Sequence, residues 1–203
     1  MTVAQSLAAF VLAAGLLTIT PGLDTALVLR TSTIEGSRKA ILAMLGISAG
    51  LLVWGAAVAI GLAALLTASQ LAFTVLKWVG AAYLVWVGVM LLLHPRQRFD
   101  PVVNAGRGNW FWRGLLNNLL NPKIGVFYVS FLPQFIPTGV AAAPYTFLLA
   151  VIHVVLGLIW LGLLIVATRP LNRALRRPAV VKTLDRLTGC VFVGFGVKLA
   201  VRR

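Results

Sequence analysis

Acid is scarce in this chain. Four Asp and Glu residues stand against 18 Lys and Arg in 203 residues, and charged residues total 11%. Soluble domains carry about 25% charged residues, so a soluble globular fold is excluded. Cysteine is rarer still. Cys190 is alone, which rules out an intramolecular disulfide and a paired-thiol redox carrier. There is no Gly-x-x-x-x-Gly-Lys loop for a nucleotide and no His-Glu-x-x-His helix for zinc. Carboxylate pairs and a Ser–His dyad at telling spacing are missing too, so the sequence does not read as an enzyme. No cofactor is expected. A metal site would call for several carboxylates or soft ligands close together. Asp24, His153 and Cys190 come from different spans and keep a divalent-cation exporter as the alternative reading.

Apolar sequence is what the chain has in excess. It is 60% hydrophobic, with mean hydropathy +0.97. Long uncharged runs recur, which predicts an all-α integral membrane protein with several crossings. Met1 to Leu23 carries no charge, lacks a basic leader and is longer than a signal-peptide core, so it reads as a retained first span. The net charge of +14 could suggest nucleic acid. The basic residues instead cluster in short connections, as the positive-inside rule expects. The bilayer is the expected partner, and nucleic acid is not.

Six spans can be drawn, roughly Val3–Leu29, Ala40–Leu66, Leu71–Leu93, Trp110–Ile136, Tyr145–Ala167 and Leu187–Val201. The last is short for a crossing. Gly46 and Gly50 form a small-residue face on the second span, suited to close helix packing. Lys77 near the start of the third can snorkel to the interface. The stretch 94–109 is the only one that resembles a linker, and it is basic. The whole chain is expected to be a single membrane transport domain, with one repeat over 1–93 and a second over 110–203.

Two spans are interrupted. Thr20-Pro21-Gly22-Leu23-Asp24-Thr25 breaks the first, because Pro21 removes a helical hydrogen bond and Gly22 weakens what remains. Asn121-Pro122-Lys123 breaks the fourth, just after Asn117 and Asn118. An acid within a span marks a candidate functional site. The plainer reading puts Asp24 at a helix end in solvent. Freed backbone groups are tolerated at membrane depth only against protein or a wet cavity. The expectation is therefore one cavity shared by both breaks. Thr20, Thr25, Asn117, Asn118 and Asn121 would supply neutral hydrogen bonds, Asp24 would take an ammonium or a proton, and Lys123 would attract a carboxylate. The competing structural reading is a permanent Asp24–Lys123 pair that only locks the halves. His153 and Tyr83 are candidates for the cavity wall, or ordinary packing residues.

The halves align. Pro21 matches Pro122, Gly50-Leu51-Leu52-Val53-Trp54-Gly55 matches Gly157-Leu158-Ile159-Trp160-Leu161-Gly162, and Gly80, Tyr83 and Trp86 match Gly189, Phe192 and Phe195. An odd number of spans per unit inverts the second copy. The charges agree: the first connection is basic and its counterpart neutral, while the second is neutral and its counterpart, with Arg169, Arg173, Arg176, Arg177, Lys182 and Arg186, is strongly basic. A 3+3 inverted-topology repeat with broken helices one and four follows, with both termini outside and the linker inside. Arg202 and Arg203 then fall on the side that the charge rule disfavours.

These residues resemble those of the LysE/RhtB family of amino-acid exporters. The likeness is carried by Thr20 through Arg30, by the glycine-rich Ala43–Gly61, by Leu76-Lys77-Trp78-Val79-Gly80-Ala81-Ala82-Tyr83-Leu84, and by Asn117 through Lys123 on to Phe131-Leu132-Pro133-Gln134-Phe135. Family members usually read Pro-Gly-Pro at the first break. Leu23 replaces the second proline here, so a softer break is expected. The resemblance implies six membrane helices in a bacterial plasma membrane, and efflux of amino acids or related zwitterionic or cationic metabolites. It also implies drive by the proton gradient, and homodimerisation.

Overall fold

The computed structural model describes residues 1–68, 70–95, 109–167 and 177–201. The linker residues 96–108, the basic stretch 168–176 and Arg202–Arg203 therefore lie outside the described residues. So do the readings attached to them, including the side of the membrane on which the chain ends.

Every element among the described residues is helical. The order is α1 (Val3–Ile19), α2 (Leu23–Ile34), α3 (Ser37–Ala68), α4 (Gln70–Leu93), α5 (Trp110–Leu119) and α6 (Pro122–Val126). A π-helical turn (Phe127–Phe131) and a 3-10 turn (Leu132–Phe135) continue α6, and α7 (Ala142–Val166) and α8 (Pro178–Val201) complete the chain. Ser37–Gly61 and Ala142–Val166 are each long and apolar enough to cross a bilayer. The bent pair α1 and α2 passes the same test jointly. The molecule is thus a multi-pass helical membrane protein.

The first break is sharp. Helix α1 ends at Thr20 in an extended conformation, Gly22 is also extended, and α2 leaves at 50° to α1. Loss of the second proline to Leu23 has not softened it, because Pro21 alone removes the N–H that would have closed the last turn. The turn from α2 to α3 uses Gly36 at φ 91°, a left-handed position that glycine takes without penalty. The fourth span departs further from expectation. It breaks at Leu120–Asn121 and then passes from α-helix into wider and tighter turns ahead of Ile136.

Helix α8 corrects the sixth span. It begins at Pro178 and runs 24 residues, so Lys182, Asp185 and Arg186 are helical rather than part of a connection. Asp185 is fully buried, a second acid inside the helical body beside Asp24.

Packing follows the small residues. Helix α3 lies against α5 and α7, and α4 lies against α8. Gly46 faces the Phe111 carbonyl and Gly114 faces the Ala43 carbonyl, so α3 and α5 touch backbone to backbone. A Cβ on Gly88 would stand 2.8 Å from the Gly189 carbonyl oxygen, so α4 also meets α8 closely, though less so than α3 meets α5.

Two separate cores result. One gathers Phe10, Phe127, Phe131, Phe135 and Phe192 around α1 and the chain beyond α6. The other joins Leu27–Leu29 of α2 to Ile47 of α3, Trp110 of α5 and Leu161, Leu164 and Ile165 of α7. Both helix breaks fall at the seam between them.

Candidate functional site

Asp24 stands in the first turn of α2, where a negative charge is favoured by the helix dipole. Its Oδ1 accepts from Asn117 Nδ2 at 2.7 Å. Its Oδ2 accepts from Asn118 Nδ2 at 2.8 Å and from Asn121 Nδ2 at 3.3 Å. Three amides from the end of α5 and the second break thus replace the water that a carboxylate loses on burial. Asp24 is not a solvated helix end.

Lys123 answers the other break. A proline at 21 leaves the Leu17 carbonyl without its usual donor four residues on. Lys123 Nζ donates to that carbonyl at 2.8 Å and to the Thr20 carbonyl at 2.9 Å. Its backbone N–H donates to Asn121 Oδ1 at 3.1 Å, so Asn121 both caps α6 and reaches Asp24. Pro122 takes the first position of α6, where no N–H is required. The first interrupted helix is therefore completed by a side chain of the second, while the second is capped by its own Asn121. Lys123 also attracts the Asp24 carboxylate electrostatically.

Between them lies a cavity of about 40 Å³, room for a few waters. Gly22, Asp24 and Thr25 line it from α2 and the turn before it, Asn121 and Lys123 from the second break, and His153, Gly157 and Trp160 from α7. Leu51 and Ile47 of α3 close another wall. The cavity touches both cores.

The remaining sequence candidates divide. Thr25 is buried and reaches the cavity wall. His153 does too, and it also lies 3.2 Å from the Tyr128 hydroxyl through Nδ1. Thr20 does not line it. Its hydroxyl bonds back to the Leu16 carbonyl at 2.7 Å and meets the Thr188 hydroxyl at 2.6 Å, which ties the first break to α8. Tyr83 lines a different hollow, an apolar groove of about 390 Å³ between α4 and the second break, shared with Trp54, Asn121 and Pro122. Asn117 and Asn118 act through Asp24 rather than on the wall.

Sequence reading missed several participants. The backbone carbonyls of Leu17 and Thr20 carry no side-chain signal, although the Pro21 rule predicts that one of them needs a donor. Trp160 reads in the sequence as part of an apolar repeat motif. Gly50 reads in the sequence as a helix-packing residue, yet a Cβ there would stand 2.6 Å from Asn118 Oδ1. Among the described residues, no group of three or more His, Cys, Asp or Glu side chains lies together.

Comparison with known proteins gives the same direction. The chain is 33% identical to a homoserine/homoserine lactone efflux protein of Salmonella typhimurium, over 96% of each chain. It is 31% identical to a leucine efflux protein of an Enterobacter species, over 94% of this chain and 93% of that one. A threonine efflux protein of Salmonella typhi is 28% identical over 91% and 92%. No solved structure matches. The LysE type translocator family matches residues 16–203. The relatives are transporters rather than enzymes, and the chain belongs to the LysE type translocator family.

Proposed function

We propose that this protein exports amino acids or closely related small metabolites across the bacterial plasma membrane, driven by the proton gradient. The carrying observation is the cavity between the two breaks, with Asp24 and Lys123 on its wall. A zwitterion entering it meets an anionic partner for its ammonium and a cationic one for its carboxylate. The relatives are named for efflux of homoserine, threonine and leucine, which supports an amino-acid substrate. Protonation of Asp24 would release its amide donors and couple the proton to the solute.

Six membrane crossings in two inverted copies fit this reading. Helix α3 packs on α7 and α4 on α8, the pairs that an exchange-symmetric repeat would bring together. The cavity lies where the two cores meet, and α3 and α7 run unbroken through both, so opening it would turn on the interrupted helices.

Vesicles bearing the purified protein and loaded with labelled threonine, leucine and homoserine test the proposal. Efflux should rise when a proton gradient is imposed and fall with a protonophore. Release no faster than from protein-free vesicles, for all three, would refute it.

A further inference from the structure

The apolar groove beside the second break has no part in the transport reading. Trp54 of α3, Val79 and Tyr83 of α4, and Leu120, Val126 and Val129 of the broken fourth span enclose about 390 Å³. Almost no polar surface faces it. Asn121, buried in its wall, has its amide engaged elsewhere: Nδ2 donates to Asp24, and Oδ1 accepts from the Lys123 N–H. A Cβ on Gly125 would stand 3.0 Å from Trp54 Cζ2, so the indole lies against the backbone of α6. The groove is open rather than sealed, with Val79 61% and Leu120 78% exposed. Trp54 stands well inside the crossing Ser37–Gly61, roughly 10 Å from its Gly61 end at a rise of about 1.5 Å per residue. At that depth the surroundings of the chain are hydrocarbon, not water. An apolar hollow does not take up water. Left empty, it would forgo the dispersion contacts of its whole lining.

We propose that an acyl tail of a bilayer phospholipid is seated in this groove, between α4 and the second break. A tail fits and a headgroup does not, because no charged side chain lines the groove. Phospholipid is the source, since the bilayer around the chain presents its tails at this depth. The seat bears on the break itself. Leu119, Leu120, Asn121 and Pro122 interrupt the fourth span and also form this wall, and Asn121 borders the central cavity as well. The tail therefore buttresses the stretch that holds Asn121 against Asp24, without entering the path of a solute. The proposal holds whatever the solute is.

The probe is phosphatidylcholine with a photoreactive diazirine midway along one tail. It is added at a low ratio to the purified protein in detergent and irradiated, and the adducts are mapped by peptide mass spectrometry. Adducts should concentrate severalfold on Val79, Tyr83, Val126 and Val129 over Val155 and Ile159, which are exposed on α7. Val79→Trp enlarges a side chain at an exposed position and takes up groove space. It should remove the adducts on the other groove residues, whereas Ile159→Trp should keep them. If Val79→Trp does not fold, Val129→Trp fills the groove from the fourth span instead. Equal labelling of the groove and α7 would mean ordinary surrounding lipid and would overturn the proposal. Groove adducts that survive the filling substitution in a folded protein overturn it too. So does a groove free of adducts in a protein that runs as a dimer, since the occupant would then be a second copy.

Discussion

Asn118 donates to Asp24 Oδ2 across 2.8 Å and is itself fully buried. The bond joins the last turn of α5 to the first turn of α2, so it spans the two halves of the chain. A glycine protects it. A Cβ on Gly50 would stand 2.6 Å from Asn118 Oδ1 and 2.9 Å from its Cβ.

Gly50→Ala should therefore impair transport through Asn118. The asparagine must move, and the carboxylate loses one of its three amides. Efflux is expected to fall by about tenfold, the equivalent of one hydrogen bond to a charged group. Gly15→Ala is the control, because nothing lies within 4 Å of the added methyl. It should leave efflux unchanged. Comparison of the two in loaded vesicles at matched protein level checks this.

Lys123→Met should destabilise the protein as well as silence it. It strips the donor from the Leu17 and Thr20 carbonyls, at about 1–3 kcal/mol for each buried group left unmade. Pro21→Ala returns an N–H to the position from which Leu17 is normally satisfied. The loss caused by Lys123→Met should consequently be smaller in the Pro21→Ala background. A thermal-unfolding cycle of the four proteins in detergent measures the coupling, and strict additivity would show that the lysine does not serve the break.

Gly157→Ala should fold normally and change substrate size. The nearest atom to its added methyl is Leu51 Cδ1 at 3.7 Å, an ordinary contact, and the methyl enters the cavity wall. Efflux of leucine should drop relative to that of alanine. Equal loss of both would place Gly157 outside the solute's path.

How much of this was legible beforehand depended on whether local chemistry fixed the answer. Pro21 and Pro122 dictate breaks wherever they sit in an apolar helix, and both are present in the fold. Asp24 and the asparagines near Pro122 were visible as polar residues with nowhere to go but toward each other. Register was not legible. Whether Tyr83 or Trp160 faces the central cavity depends on how α4 and α7 rotate against their neighbours, and hydropathy is nearly uniform around both. The start of α8 was hidden for another reason. Lys182, Asp185 and Arg186 look like a solvated connection, yet Asp185 is buried in the helix. Thr20, expected on the cavity wall, instead bonds to Thr188.

The proposed inverted topology makes its own forecast. With Cys190 first replaced by Ala, a single cysteine at Thr138 should react with a membrane-impermeant thiol reagent added to intact cells, and one at Asn109 should not. Those positions flank the fourth broken helix, so labelling of both from the same side would mean that it does not cross.

Asp24→Asn is the most direct test of the central claim that a partly buried carboxylate shared by two broken helices carries the transported solute or its proton. The substitution is nearly isosteric and keeps hydrogen-bonding atoms in place. The measurement is amino-acid efflux from loaded vesicles under an imposed proton gradient, at equal protein level and with unfolding temperature monitored. Loss of efflux in a folded variant is the predicted result. Efflux at the wild-type rate would contradict the account.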